Sequence, residues 1–209
     1  NAGQATAGIQ AGASVLDADV AGDSLVNVTA AALRLQAGNA VGSAGNALEI
    51  DVNGLAAQAG AGGLFVGEAN GVALASVGLS VERIGVDGTA AAVAVAALSG
   101  VDVAGNVVLS ANAGDITVGA GQALRGANVA LTAALGGIAV GGSVDAAARN
   151  LSIAASNIVV DTTGQATAAG NVEFDAARMN VVFGSVLANG GKLMLNGGSE
   201  LVVAASAVA

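Results

Sequence analysis

The carboxylates stand out as the side chains whose type and spacing could do chemistry. The chain has no His and no Cys, so the usual general base, thiolate nucleophile and zinc ligands are missing from the start. Asp17 and Asp19 form the tightest acidic pair, with Asp23 close behind. Residues i and i+2 of an extended strand share a face, and glycoside hydrolysis needs two acidic side chains on one groove. A lyase would also need a base and a cation, and no Lys or Arg clusters beside this pair. The simpler reading is three solvated turn residues. The remaining candidates, Asp102, Asp115, Asp145, Asp161 and Asp175, are spread too widely to converge on a cation, with Asp145 and Asp161 expected in different coils and at different corners. The Gly-Gly-x-Gly-x-Asp nonapeptide of calcium-binding β-rolls is absent. Thr162 and Thr163 stand alone and do not form an ice-binding array. Gly60–Gly63 lacks the Lys-Ser/Thr of a phosphate loop. The sequence therefore predicts no catalytic residue, no metal site, no cofactor and no enzyme activity.

The composition limits what could position such residues. Of 209 residues, 54% are apolar, but only Phe65, Phe174 and Phe183 are aromatic, and there are 33 Gly and no Pro. A core made of Ala, Val, Leu and Ile suits a narrow interior one or two side chains across. Turns must be built by Gly, Asn, Asp and Ser. Six basic against fifteen acidic residues give a net charge of -9, which opposes nucleic acid and anionic membranes as partners. Mean hydropathy is +0.74, yet the most apolar window, residues 90–98, is too short for a spanning helix. Aromatic girdles and ten-residue alternating strands of an outer-membrane barrel are also missing. The chain is expected not to span a membrane. It starts at Asn1 with no basic leader, and is expected to be a segment of a longer chain.

Spacing then supplies the fold. Apolar-x-apolar triplets begin at Val107, Val129, Leu151, Val172 and Leu193, and a second series begins at Ile116, Ile138, Ile158, Val181 and Leu201. Each recurs about every 21 to 22 residues, and a weaker third series passes through Leu124, Val144, Ala166 and Val186. Three short strands and three turns per period describe one coil of a parallel β-helix. Strand alternation turns Val107, Leu109, Ile116, Val118, Val129, Leu131, Ile138 and Val140 inward, and likewise Leu151, Ile153, Ile158, Val160, Val172, Phe174, Leu193 and Leu195. Glu173, between Val172 and Phe174, marks the wet face, because a charge is rarely buried unpaired.

Asn106, Asn128, Asn150 and Asn171 precede the first triplet in phase. They should form a corner ladder in which each amide bonds the Asn above and below, in a turn or left-handed conformation. Lys192 breaks the series. Replacing Asn128 or Asn150 with Ala is expected to cost about 1 to 2 kcal/mol if the amides are partly buried. The second triplets are preceded by Asp115, Gly137, Asn157 and Asn180, read as turn residues.

The first hundred residues carry looser triplets, among them Leu33-Arg34-Leu35, Leu48-Glu49-Ile50, Leu64-Phe65-Val66 and Leu79-Ser80-Val81. They suggest coils of unequal length, with loops at 54–63 and 85–92 and a strand through Val93-Ala94-Val95. No linker divides residues 1–209, so one β-helix segment is expected, regular over 101–204 and irregular over 1–100. Crossover handedness favours a right-handed coil. Neither end shows a polar cap, so further coils or end-to-end copies of the chain are the expected partners.

The phrase Gly105-Asn106-Val107-Val108-Leu109-Ser110-Ala111-Asn112-Ala113-Gly114-Asp115-Ile116-Thr117-Val118 resembles the repeats of filamentous-haemagglutinin-like adhesins and related giant surface proteins of Gram-negative bacteria. Residues 127–133 and 149–155 continue the likeness, which covers 101–204 well and 1–100 loosely. The family's usual period is nearer 19 to 20 residues, shorter than the one here. The resemblance implies a right-handed parallel β-helix, export through an outer-membrane pore, and a place at the cell surface or outside it. It implies a stalk whose host or neighbouring-cell ligand binds elsewhere in a longer chain. A self-assembling subunit of an extracellular filament, sheath or matrix is the alternative, and a polysaccharide-active β-helix enzyme ranks third.

Overall fold

A computed structural model describes residues 1–20, 22–204 and 207–208, the last pair by backbone alone. Ala209, at the expected distal docking end, lies outside the described residues. The fold is all-β, a parallel β-solenoid in which the inter-layer strand pairings of the described residues are parallel. Three faces surround one thin core.

The first face stacks Val41, Leu64, Val107, Val129, Leu151, Val172 and Leu193 in one inward column. Beside it runs Leu48, Val66, Leu109, Leu131, Ile153, Phe174 and Leu195. Val118, Val140, Val160 and Val182 line the second face. Leu124, Val144, Ala166 and Val186 line the third, and all four are fully buried. At an inter-strand spacing of about 4.8 Å, the nine strands of the third face make a stack roughly 40 Å long. The inward residues named from the sequence are buried from Val107 to Phe174. Leu193 and Leu195 point into the same columns but are only partly buried, because no described layer covers them.

Several strands are longer than triplets. Val129–Val140, Leu151–Val160 and Val172–Val182 each bend from the first face to the second while pairing continues on both. In the early layers the bend moves: Val28–Ala37 and Leu48–Ala59 run unbroken into the third face. Gly54–Ala59 is accordingly strand, not loop, and the turn is confined to residues 60–62. The Cβ a side chain would add at Gly54 meets only the Ala32 and Ala75 methyls at ordinary distance, so this Gly is an outward strand position and not a turn maker.

Leu79-Ser80-Val81 does not form a coil strand. Ser76–Ile84 and Ala90–Ser99 pair antiparallel as a separate two-stranded sheet. The hairpin is inserted between Leu74 and Val101, and its two ends meet in the bond from Gly100 N–H to Ala75 O, 2.9 Å. The expected loop at 85–92 shrinks to the turn at 85–89. The hairpin lies on the outside of the first layers. Val77 is buried, Leu79 sits where a Cβ on Gly8 would fall, and Ala56 and Arg34 are buried beneath it. Arg34 Nε donates to Ala96 O at 2.8 Å, tying the hairpin to the rod.

Two inward positions depart from the sequence reading. Asn180 is not a turn residue; it takes the column of Ile158 and is fully buried, while Phe183 is 43% exposed. The cause is one extra residue: Ala155 to Asn157 in one layer aligns with Ala176 to Met179 in the next. The bulge shifts the strand by one, and a one-residue slip exchanges the two faces. Glu68 is the second departure. It continues the alternation Leu64, Val66, Glu68 into the interior, between Ile50 and Ala111, with no exposure.

Candidate functional site

The Asn corner is built mainly from side chain to backbone. Asn128 Nδ2 donates to Asn106 Oδ1 at 2.9 Å, the one amide-to-amide rung. Above it, Asn150 N–H donates to Asn128 Oδ1, Asn171 N–H to Asn150 Oδ1 and Lys192 N–H to Asn171 Oδ1, at 3.1, 2.9 and 2.8 Å. Each side-chain oxygen thus satisfies the peptide donor of the next layer at a corner where the ladder would leave it unpaired. Lys192 takes the next corner position and carries no side-chain oxygen. Among the described residues no non-Gly residue has positive φ, so the Asn residues are chosen for reach and not for a left-handed backbone. They are largely exposed, Asn128 less so.

The carboxylates of Asp17 and Asp23 hold the first-layer loop together, while Asp19 contributes backbone atoms alone. Asp17 accepts from Asn27 Nδ2 at 3.0 Å, from Asn46 Nδ2 at 2.7 Å and from Asp19 N–H at 3.1 Å. Asp23 accepts from Leu25 N–H at 2.9 Å. Glu49 faces this group. Its burial, followed by the charges of Asp17, Asp23 and Asp19, raises its carboxyl above the ordinary range, partly offset by a backbone hydrogen bond. No group of three acidic side chains close enough to hold a metal ion occurs among the described residues.

The third face carries an arrangement the sequence reading missed. Gln10, Gln36, Gln58, Asp102, Arg125, Asp145 and Thr167 occupy one outward column in consecutive layers. Asp102 and Asp145, judged too far apart in sequence, therefore share a row two layers apart. The row is internally bonded: Gln36 Nε2 to Gln58 Oε1 at 3.0 Å, Thr167 Oγ1 to Asp145 Oδ1 at 2.9 Å, and an Arg125–Asp145 ion pair at 3.6 Å. Spacing could have found it from Asp102 onward: Val101 stands 23 residues before Leu124, so extending the third series back by one coil aligns Asp102 with Arg125.

Small residues beside the row leave two shallow grooves, about 440 Å³ along Gln58, Asp102 and Arg125 and about 400 Å³ along Gln10, Gln36 and Gln58. They share Gln58 and Ala59. Asp102 and Asp145 stand roughly 10 Å apart along the axis, near the upper limit of the ~6.5–9.5 Å carboxyl spacing of an inverting glycosidase. Arg125 occupies the layer between them and pairs with Asp145, where such an enzyme needs a water. The row is arranged to bond along itself. No protein-family model, curated protein or solved structure matches the chain.

Proposed function

We propose that this chain is a rod segment in the stalk of a secreted or cell-surface bacterial adhesin. The observation that carries the reading is the uninterrupted parallel stack. Its core is narrow and built mainly from Ala, Val, Leu and Ile, and several of its outward polar groups bond one another along the axis. Such a structure sets distance. Any ligand would be met by other parts of a longer chain. The adhesin-like repeat of residues 105–118 supports this reading, as does a surface rich in small residues. Immunogold labelling of cells producing the native protein, with antibody to this segment, tests it. Label held beyond the outer membrane is expected; label confined to the cytoplasm would overturn the proposal.

A second reading, a self-assembling subunit of an extracellular filament or matrix, is supported by the repetitive parallel stack, an architecture consistent with self-stacking.

A further inference from the structure

The stack strands between Leu48 and Val182 each have a neighbour on both sides. The hairpin strands inserted among them, Ser76–Ile84 and Ala90–Ser99, pair only with each other among the described residues. Each therefore leaves one edge of backbone N–H and C=O groups with no strand beside it. A lone two-stranded ribbon is marginal in water until further strands or another layer join it. The inner half of this ribbon has support, since Val77 is buried and Leu79 packs on Gly8. The outer half has none: residues 82–94 are exposed without a break.

The two open edges differ in chemistry. Ser76–Ile84 carries Glu82 and Arg83, and charges of this kind blunt an edge against further pairing. Ala90–Ser99 has no charge and no Pro over its ten residues. Its inner end is closed. Val95 and Leu98 align with Leu79 and Val77, so one extra residue bulges at 96–97, and the Arg34 guanidinium already occupies Ala96 O. Residues 91–95 remain open. An exposed, uncharged, apolar edge is a template for another strand.

The sequence of this edge identifies the strand that fits it. Reversed about Val93, it meets itself without conflict. In an antiparallel pairing of two copies centred there, Val93 faces Val93 of the other copy, Ala92 faces Ala94, and Ala91 faces Val95. Directly opposed side chains share a face and pack together. Val81 already pairs with Val93 inside the hairpin. The joined ribbons would thus carry a continuous row of four valines, covering Val93, which is 37% exposed. No charge meets a like charge at the centre, because Glu82 and Arg83 of both copies fall on the outer strands. Those outer strands become the edges of a four-stranded sheet, where their charges oppose further addition. The contact is two-fold symmetric and closes at the dimer.

We propose that Ala90–Ser99 is a docking strand for a second copy of this chain, joining two rods side by side through a four-stranded antiparallel sheet. The proposal goes beyond both readings above and applies equally to a stalk segment and to a filament subunit. Sedimentation of the chain over a concentration series tests it. The parent should pass from monomer to dimer as concentration rises and stop there. Val93→Lys and Val93→Glu each set like charges opposite one another at the two-fold axis, and circular dichroism checks that both fold. Each alone should dimerise at least tenfold more weakly than the parent. An equimolar mixture of the two should recover the dimer, because ammonium then faces carboxylate. Replacing residues 76–99 with an Asn-Gly link removes the strand itself and should leave a monomer at every concentration. A parent that stays monomeric or grows past the dimer would overturn the proposal. So would variants that dimerise like the parent, or a mixture that stays monomeric.

Discussion

Glu68 is a charged side chain that the fold takes fully into its core, and its neighbours explain how. The carboxylate accepts Val52 N–H at 3.2 Å and Asn70 N–H at 3.1 Å, donors freed where the early, straighter layers meet the first layer with a distinct corner. Desolvation nevertheless dominates, and with the nearby Asp51 charge it pushes the carboxyl up to about 7 from 4.5, against the opposing hydrogen bonds. The folded state thus holds the proton more tightly than the unfolded state. Between about pH 4.5 and 7 stability falls as pH rises, by ~1.4 kcal/mol per unit and on the order of 3 kcal/mol in total. The contribution is fully present below the unfolded value and lost above the folded one. Melting temperature should drop from pH 5 to pH 8 in the parent and less steeply in Glu68→Gln, which stays neutral and keeps an acceptor. Parallel curves for the two proteins would show that Glu68 does not titrate in this window.

The Asn corner asks for a smaller effect than the sequence suggested. Because the amides are largely exposed, losing one leaves an N–H of the next layer that water can reach. Asn150→Ala should therefore cost about 0.5 to 1 kcal/mol, at the lower end for a lost hydrogen bond. Thermal unfolding of Asn150→Ala measures this, and a loss above about 2 kcal/mol would mean that the corner is dry. Leu131→Asp should be far worse, above about 4 kcal/mol, because Leu131 is 1% exposed and no partner awaits a carboxylate there.

At the scale of elements, the sequence was legible where one period repeats without interruption. From Val107 to Phe174, alternation alone assigns inward and outward positions, since a strand has only two faces. It failed at Asn180, where one inserted residue reverses the faces and leaves the local pattern Val181-Val182-Phe183 looking regular. It also failed at residues 76–99, because an antiparallel hairpin and two coil strands write the same alternation. Only the long-range pairing of Val101 with Leu124 and Ala57 separates them. The polar row from Gln10 to Thr167 went unread because Val101-Asp102-Val103 was not joined to the third series; from Asp102 on its members follow at 23, 20 and 22 residues, one per coil, and the hairpin insertion lies only between Gln58 and Asp102. That insertion should be separable from the stack. The ends at Ala75 and Gly100 are already joined by a hydrogen bond, so replacing residues 76–99 with a two-residue Asn-Gly link should leave the parallel stack folded. Circular dichroism of the excised variant should retain the β signal, with newly exposed Ala56 and Arg34 lowering the melting temperature by only a few degrees. Loss of cooperative unfolding would mean that the hairpin nucleates the early layers.

For the whole molecule, each layer outside the hairpin touches only the layers above and below, so stability is close to a sum of layer terms and nearest-neighbour terms. Inner layers have two neighbours and fully buried columns. The last described layers have one neighbour, with Leu193 and Leu195 only partly covered, and the first layer replaces a first-face strand with the loop around Asp17. Opening should therefore start at the ends and move inward, a graded profile in place of a single all-or-none step. Native-state hydrogen exchange of the monomer should show the slowest amides in residues 107–111, 129–133 and 151–155, and progressively faster exchange toward 193–203 and toward 6–11. Uniform protection along the rod at low concentration would contradict the nearest-neighbour picture, because it would require the narrow core to transmit stability over many layers.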